Sequence, residues 1–348
     1  MLLSINLFAQ NFEKETEQTN QLIQRFQKKY NIPGISISIS YQDKLIYSKG
    51  FGVSNIESLE KVNPSETKFR IASITKSLTA LTIGKLIEMD SIDIDKSPYY
   101  YLKDLPRKEY DFTIKDVGGH LAGIIRVPTG ERYDCKNTYT ESDFYPTFDK
   151  DRLSFVQKTN FSYSNYGYKL LGLIVERQCG DNIKNCHKKL VLDKLDLKNM
   201  IPDDGSILRN NNFYIESKGK NILASCLDCT FKYAQGCYLA TSEDIIKFAN
   251  AILYKNRLLK EETIKKLIKS QELSNGTKTR YGFGFELNKD FYGNDYFGHT
   301  GGYEGSTAEY RIYPKKEFVI TILTNKSGTF RLNELLDKIA FNYFQKIK

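Results

Sequence analysis

Hydrophobic residues fall along this chain in two rhythms, one at each end, with a less regular stretch between them. From Phe12 to Tyr30 a polar sequence carries Leu22, Ile23, Phe26 and Tyr30 at helical spacing and stops before Pro33, which predicts an amphipathic surface helix. Ile35-Ser-Ile37-Ser-Ile39-Ser-Tyr41 then alternates strictly, turns near Gln42-Asp43 and returns through Leu45-Ile46-Tyr47, which predicts a β-hairpin. Period-two texture comes back late, in Tyr281–Leu287, in Ala308–Ile312 and in the buried-type run Phe318–Leu323. The chain closes on an amphipathic helix carrying Leu332, Leu335, Leu336, Ile339, Tyr343 and Phe344. Between about residues 77 and 238 the strand signals fade and helical stretches and loops take over. The pattern predicts a mixed α/β (α+β) fold: one antiparallel sheet built from residues of about 10–76 and 239–348, flanked by the terminal helices, with a mainly helical region inserted at about 77–238.

The seam between sheet and insertion falls at Phe69-Arg-Ile-Ala-Ser73-Ile-Thr-Lys76-Ser-Leu-Thr-Ala-Leu81. Ile74, Leu78 and Leu81 form one apolar stripe and Ala80, Ile83 and Ile87 a second, so the predicted helix keeps only a narrow wet face. Ser73 and Lys76 stand a turn apart on one side of it, where hydroxyl and amine can share a hydrogen bond. A serine hydroxyl attacks poorly until a base takes its proton, and this pair offers both parts. Ser-x-x-Lys also occurs at Ser58/Lys61, Ser65/Lys68 and Ser217/Lys220, but there it lies among Asn, Pro, Gly and charged residues that predict turns.

Three other segments could converge on the seam. Phe161-Ser-Tyr163-Ser-Asn165 places a phenol and an amide two residues apart ahead of a helical run from Lys169 to Arg177. Phe297-Gly-His299-Thr300-Gly301-Gly302 opens a strand with glycines that permit close approach of backbone to ligand. In Thr113–Ile124, His120 reads as a structural residue packed under the site.

Composition narrows the function. The 348 residues are 40% hydrophobic and 27% charged, and the net charge of +9 comes from lysines scattered among acids, so no basic run points to nucleic acid. No apolar run approaches the roughly 18 residues that cross a bilayer. There is no phosphate loop, no Gly-x-Ser-x-Gly elbow and no metal-ligand spacing among the three histidines, so neither cofactor nor metal is expected. Six cysteines allow up to three disulfides. Cys226-x-x-Cys229 lacks the second pair that a zinc site needs. Residues 1–9 read either as the end of a secretory signal cleaved after Ala9, or as a loose or packed N-terminus; residues 10–348 then form a single catalytic domain.

Ser73-x-x-Lys76, then Tyr163-x-Asn165, then His299-Thr300-Gly301, in that order, resemble the serine β-lactamase and penicillin-binding protein superfamily in its class C-like branch. Phe69–Ser73, Phe161–Gly172 and Tyr238–Phe248 look most like the LACTB-type β-lactamase-like proteins. The resemblance implies a β-lactamase/transpeptidase-like fold and a serine hydrolase acting through an acyl-enzyme on a peptide, amide or ester carbonyl. It implies Ser73 as nucleophile with Lys76 and Tyr163 handling the proton, either of them being the base. The N-H groups of Ser73 and Gly302 would form the oxyanion hole. Asn165, His299, Thr300 and Gly301 would bind substrate, with His299 orienting or neutralising a carboxylate. His299 stands where many members have Lys, which implies a peptidase or esterase with at most weak β-lactamase activity. A catalytically idle binding or assembly protein is the other reading. Partners would be a small molecule or peptide, and the location periplasmic or secreted, or the mitochondrial intermembrane space in a eukaryote. Substrate choice is expected to lie in loops such as 125–160.

Overall fold

Isoleucines at alternate positions of the first strand do more than face a single core. In the computed structural model, which describes residues 12–129, 139–204, 212–225 and 227–347, that strand is covered on both sides. Residues 1–9, Cys135 and Cys226 lie outside the described residues. The strands are β1 (Gly34–Tyr41), β2 (Lys44–Gly52), β3 (Phe69–Arg70), β4 (Ile201–Pro202), β5 (Tyr214–Ser217), β6 (Lys220–Leu223), β7 (Tyr238–Ala240), β8 (Glu286–Lys289), β9 (Asp295–Tyr303), β10 (Ser306–Tyr313) and β11 (Phe318–Thr324). Five longer helices matter here: α1 (Glu13–Tyr30), α2 (Thr75–Glu88), α3 (Asn165–Cys179), α4 (Ser242–Leu253) and α5 (Leu332–Phe344).

Six strands form one antiparallel sheet in the order β2-β1-β11-β10-β9-β8, so both chain ends build it, as the alternation predicts. Gln42 and Asp43 close the first hairpin, both with positive φ, the hand that matches strand twist in a two-residue turn. One face packs Ile35, Ile37 and Ile39 against Ile23 and Phe26 of α1 and Leu335, Leu336 and Ile339 of α5. The serine face is covered too. Ser36 and Ser38 each lie 2.7 Å from Ser242 Oγ, and Ser40 donates to Asn250 Oδ1 at 2.8 Å, so α4 packs there through paired hydroxyls.

Two expectations change. The strand predicted over Tyr281–Leu287 begins only at Glu286, because its glycines serve close packing. A Cβ on Gly284, which has φ +79°, would stand 2.7 Å from the Lys76 carbonyl oxygen, and one on Gly282 would stand 2.4 Å from that of Leu267. The inserted region also holds the β5–β6 hairpin, which its polar, exposed residues conceal. The rival Ser-x-x-Lys pairs do fall at turns, Ser217 and Lys220 flanking this hairpin's.

Helix α2 runs between the sheet and the insertion, and Thr75 through Gly84 are all buried. The narrow wet face is therefore absent over these ten residues. Its hydroxyls are satisfied from neighbouring elements: Ser77 Oγ donates to the Gly284 carbonyl at 2.8 Å and Thr79 Oγ1 to that of Ala234 at 2.7 Å. A helix enclosed this way presents its first turn from a fixed position.

Candidate active site

Strand β3 pairs with β7, and the Ile71 N-H donates to the Tyr238 carbonyl at 3.0 Å. The backbone then bends sharply. Ala72 adopts φ +46°, a left-handed conformation that costs a residue with a Cβ about 1–2 kcal/mol, and Ser73 follows in a short 3-10 turn leading into α2. Gly301 on β9 lets this bend approach the sheet, since a Cβ there would lie 2.3 Å from the Ile71 carbonyl oxygen. Ser73 is half-buried, with its hydroxyl reachable from outside.

Lys76 is fully buried, and its Nζ lies 3.2 Å from Ser73 Oγ, 2.9 Å from Asn165 Oδ1 and 3.0 Å from the Gln235 carbonyl oxygen. Among the described residues no carboxylate forms an ion pair with it. Burial holds its pKa well below the ordinary lysine value, the Arg126 guanidinium pushes the same way, and Glu286 opposes both.

The Tyr163–Asn165 motif sits at the start of α3. Ser164 caps that helix by accepting the Gly167 N-H at 2.8 Å, so Tyr163 and Asn165 project from either side of the cap. Burial raises the pKa of the Tyr163 phenol, outweighing the neighbouring Ser73 side chain, which acts to lower it. Its ring lies 4.8 Å from Lys76 Nζ. His120 packs beneath, its ring 4.4 Å from that of Tyr163, and its Nδ1 accepts the Ser164 N-H at 3.0 Å. It is the structural residue that the sequence predicts.

His299 is placed differently from what the resemblance implies. It is 2% exposed and lies behind the cavity wall. Nδ1 donates to the Thr300 carbonyl at 2.6 Å, which leaves Nε2 to accept from the Tyr281 hydroxyl at 2.8 Å. Burial lowers its pKa, Lys76 adds to that, and Glu286 opposes. With both nitrogens engaged inside the protein, the ring braces the aromatic layer behind Tyr163. Thr300 is exposed and donates to Glu286 Oε1 at 2.7 Å.

A cavity of about 340 Å³ opens over Ser73, with Tyr163, Asn165, Gly236, Cys237 and Gly302 in its walls. Sequence reasoning did not single out the polar lining residues Arg126, Lys232, Gln235 and Glu304. Arg126 lies in the stretch expected to set specificity; the other three carry no motif or periodic signal. Gln235 Oε1 is buried there without a hydrogen-bond partner. A disulfide joins Cys229 to Cys237 across this loop, so Cys229 is not a metal ligand, and a second disulfide joins Cys179 to Cys186.

The β-lactamase family profile matches residues 19–342. The chain belongs to the β-lactamase family. Among its relatives, the mouse mitochondrial serine β-lactamase-like protein LACTB is 26% identical over 88% of this chain and 74% of its own length. Protein flp of Staphylococcus aureus strain MRSA252 is 26% identical over 90% of this chain and 64% of its own. The octameric penicillin-binding protein homologue of Pyrococcus abyssi superposes with a TM-score of 0.81 at 24% identity, over 94% of this chain and 77% of that one. The β-lactamase/D-alanine carboxypeptidase of Pseudomonas syringae gives 0.78 at 18% identity, over 96% and 99%. The family resemblance carried by Ser73, Lys76, Tyr163 and Asn165 thus extends to the fold as a whole.

Proposed function

We propose that the chain is a serine hydrolase that forms an acyl-enzyme on a peptide, amide or ester carbonyl. The observation that carries this reading is the Lys76 amine, buried 3.2 Å from Ser73 Oγ with no carboxylate partner among the described residues. An ordinary lysine, with a pKa of about 10.4, is neutral in only about one molecule in 10³ at pH 7. A depressed pKa makes the neutral amine available, while Tyr163, its pKa raised, stays a phenol. That asymmetry, with Nζ 3.2 Å from Ser73 Oγ, supports Lys76 as the base. Its lone pair takes the Ser73 proton as Oγ attacks the carbonyl carbon, and the oxyanion is held by the N-H groups of Ser73 and Gly302. Each donor contributes about 3 kcal/mol by analogy with measured oxyanion holes. Tyr163 relays a proton to the leaving group as the carbon–heteroatom bond breaks, and water then resolves the ester.

Asn165 Oδ1 is taken by Lys76, which turns its amide N-H groups toward a substrate carbonyl. The two disulfides among the described residues support an exported protein in an oxidising compartment.

Intact-protein mass spectrometry after incubation with a fluorophosphonate and with a penicillin tests the reading, with Ser73→Ala as control. A Ser73-dependent adduct is expected, and its lifetime separates slow trapping from turnover. No adduct on folded wild-type protein overturns the hydrolase in favour of an idle binding or assembly protein.

A further inference from the structure

Resting on the serine-hydrolase reading above, the question is what the cavity selects. Its charges are unevenly placed. His299 is buried and hydrogen-bonded within the protein. Lys232, also on the wall, is ion-paired with Asp228 at 2.8 Å. Beyond Gly302 stands Glu304, whose carboxylate accepts from the Ser225 hydroxyl at 2.7 Å, and Glu286 accepts from Thr300 at the β9 edge. An anionic substrate group is repelled from both places. Arg126 remains. It lines the cavity, is exposed to it, has no ion pair among the described residues, and holds its guanidinium 5.8 Å from the Tyr163 ring centroid.

The backbone that carries Arg126 is fixed, which separates it from an arbitrary surface cation. Its carbonyl accepts the Asn165 N-H at 2.9 Å and the Tyr166 N-H at 3.1 Å, and the Ser164 hydroxyl donates to the preceding Ile125 carbonyl at 2.7 Å. The loop is thereby pinned to the first turn of α3, the same turn that sets Tyr163 and Asn165. A planar guanidinium with several N-H donors suits a carboxylate better than a point charge does. Because Arg126 stands beside Tyr163, which protonates the leaving group, the carboxylate it meets belongs to the departing half of the substrate.

We propose that Arg126 is the specificity-determining residue of this site and binds the carboxylate of the leaving group, so that the preferred substrate releases an amino acid or a similar acid. Recognition of an anion then lies in the loop before α3 and not on β9.

The test compares benzylpenicillin with its methyl ester, alongside a fluorophosphonate, on wild type, Arg126→Met, Arg126→Lys and His299→Asn. Removing Arg126 also relieves repulsion on Lys76 and slows every acylation at low pH, so the readout is the ratio of acid to ester rates. That ratio is expected to fall at least tenfold in Arg126→Met, to recover in part in Arg126→Lys, and to hold in His299→Asn. An unchanged ratio in Arg126→Met, or a selective loss in His299→Asn, overturns the assignment. Binding of acid and ester to Ser73→Ala gives the same ratio without chemistry. Failure of wild type to label with fluorophosphonate defeats the hydrolase reading alone, while binding reads Arg126 on its own: an acid preference in Ser73→Ala that is lost when Arg126→Met is added upholds its role, and one that is unchanged defeats it.

Discussion

Two lysines are buried beside the same cavity, Lys232 in its lining and Lys76 next to Ser73, and their surroundings are opposites. Lys76 rises from the first turn of α2 among neutral acceptors, whereas Lys232 pairs with Asp228 inside the loop closed by Cys229–Cys237. Each wall also contains a residue with a Cβ in left-handed backbone, Ala72 at φ +46° and Cys237 at φ +62°. One wall is held by helix burial and the other by an ion pair and a disulfide. The difference teaches what a buried amine is for: paired, it holds chain in place; unpaired but near a hydroxyl, it gives up its proton.

Replacing each lysine with methionine tests that contrast most directly. Lys76→Met is expected to slow Ser73 labelling about 10³-fold, within the range for loss of a general base. Lys232→Met is expected to label within about tenfold of wild type once unfolded protein is discounted, but to lose about 3–5 kcal/mol in urea unfolding, because Asp228 loses its buried partner. If Lys232→Met abolishes labelling with stability intact, the division of labour between the two walls is wrong.

The pH dependence sharpens the same point. Labelling of wild type should rise with pH as Lys76 deprotonates and level off well below pH 10, since its folded pKa is depressed. Stability is linked with a defined sign. Between the folded pKa and about 10.4 the unfolded chain binds more protons at this position, so stability rises with pH across that window and is lost as pH falls through the folded value. Lys76→Met lacks this dependence. Its unfolding free energy relative to wild type is therefore most favourable at low pH and declines toward pH 10, which urea titrations at three pH values would read; a flat difference would mean that Lys76 is charged in the fold.

The disulfides give a smaller contrast. Cys229 and Cys237 are 8 apart in sequence, Cys179 and Cys186 are 7 apart, and short loops of this size stabilise by about 2–3 kcal/mol in the chain-entropy account. Cys229→Ser and Cys179→Ser should therefore lose similar stability. Only Cys229→Ser should also slow labelling, by about tenfold, because its loop supplies the Gln235 carbonyl that Lys76 bonds. Equal labelling by the two variants would detach that loop from catalysis.

How far the sequence disclosed this site follows from how local each signal is. Ser73 and Lys76 share one helical turn, and Tyr163 and Asn165 flank one cap, so spacing alone brings each pair together. The sheet was legible for the same reason, since period-two runs report their own geometry. The burial of His299 was not legible because it depends on Tyr281, a contact that no spacing near His299 records. Arg126 and Gln235 reach the cavity on irregular backbone, where position is set by distant hydrogen bonds. The hydroxyls of α2 looked solvated because their partners at Ala234 and Gly284 lie far along the chain.

The smallest expected effect concerns the two left-handed residues. Ala72→Gly removes the Cβ penalty at φ +46° but loosens the unfolded chain, so the net gain in stability is about 0.5–1 kcal/mol. Cys237→Gly removes a similar penalty while losing the disulfide, and should come out destabilised by about 1–2 kcal/mol. Opposite signs are therefore expected from the same substitution type in the same backbone region. If both variants were destabilised equally, the bend before Ser73 would depend on the Ala72 methyl packing in the core, and the wall bearing the nucleophile would be held by side-chain contact instead of by the close approach of Gly301 to Ile71.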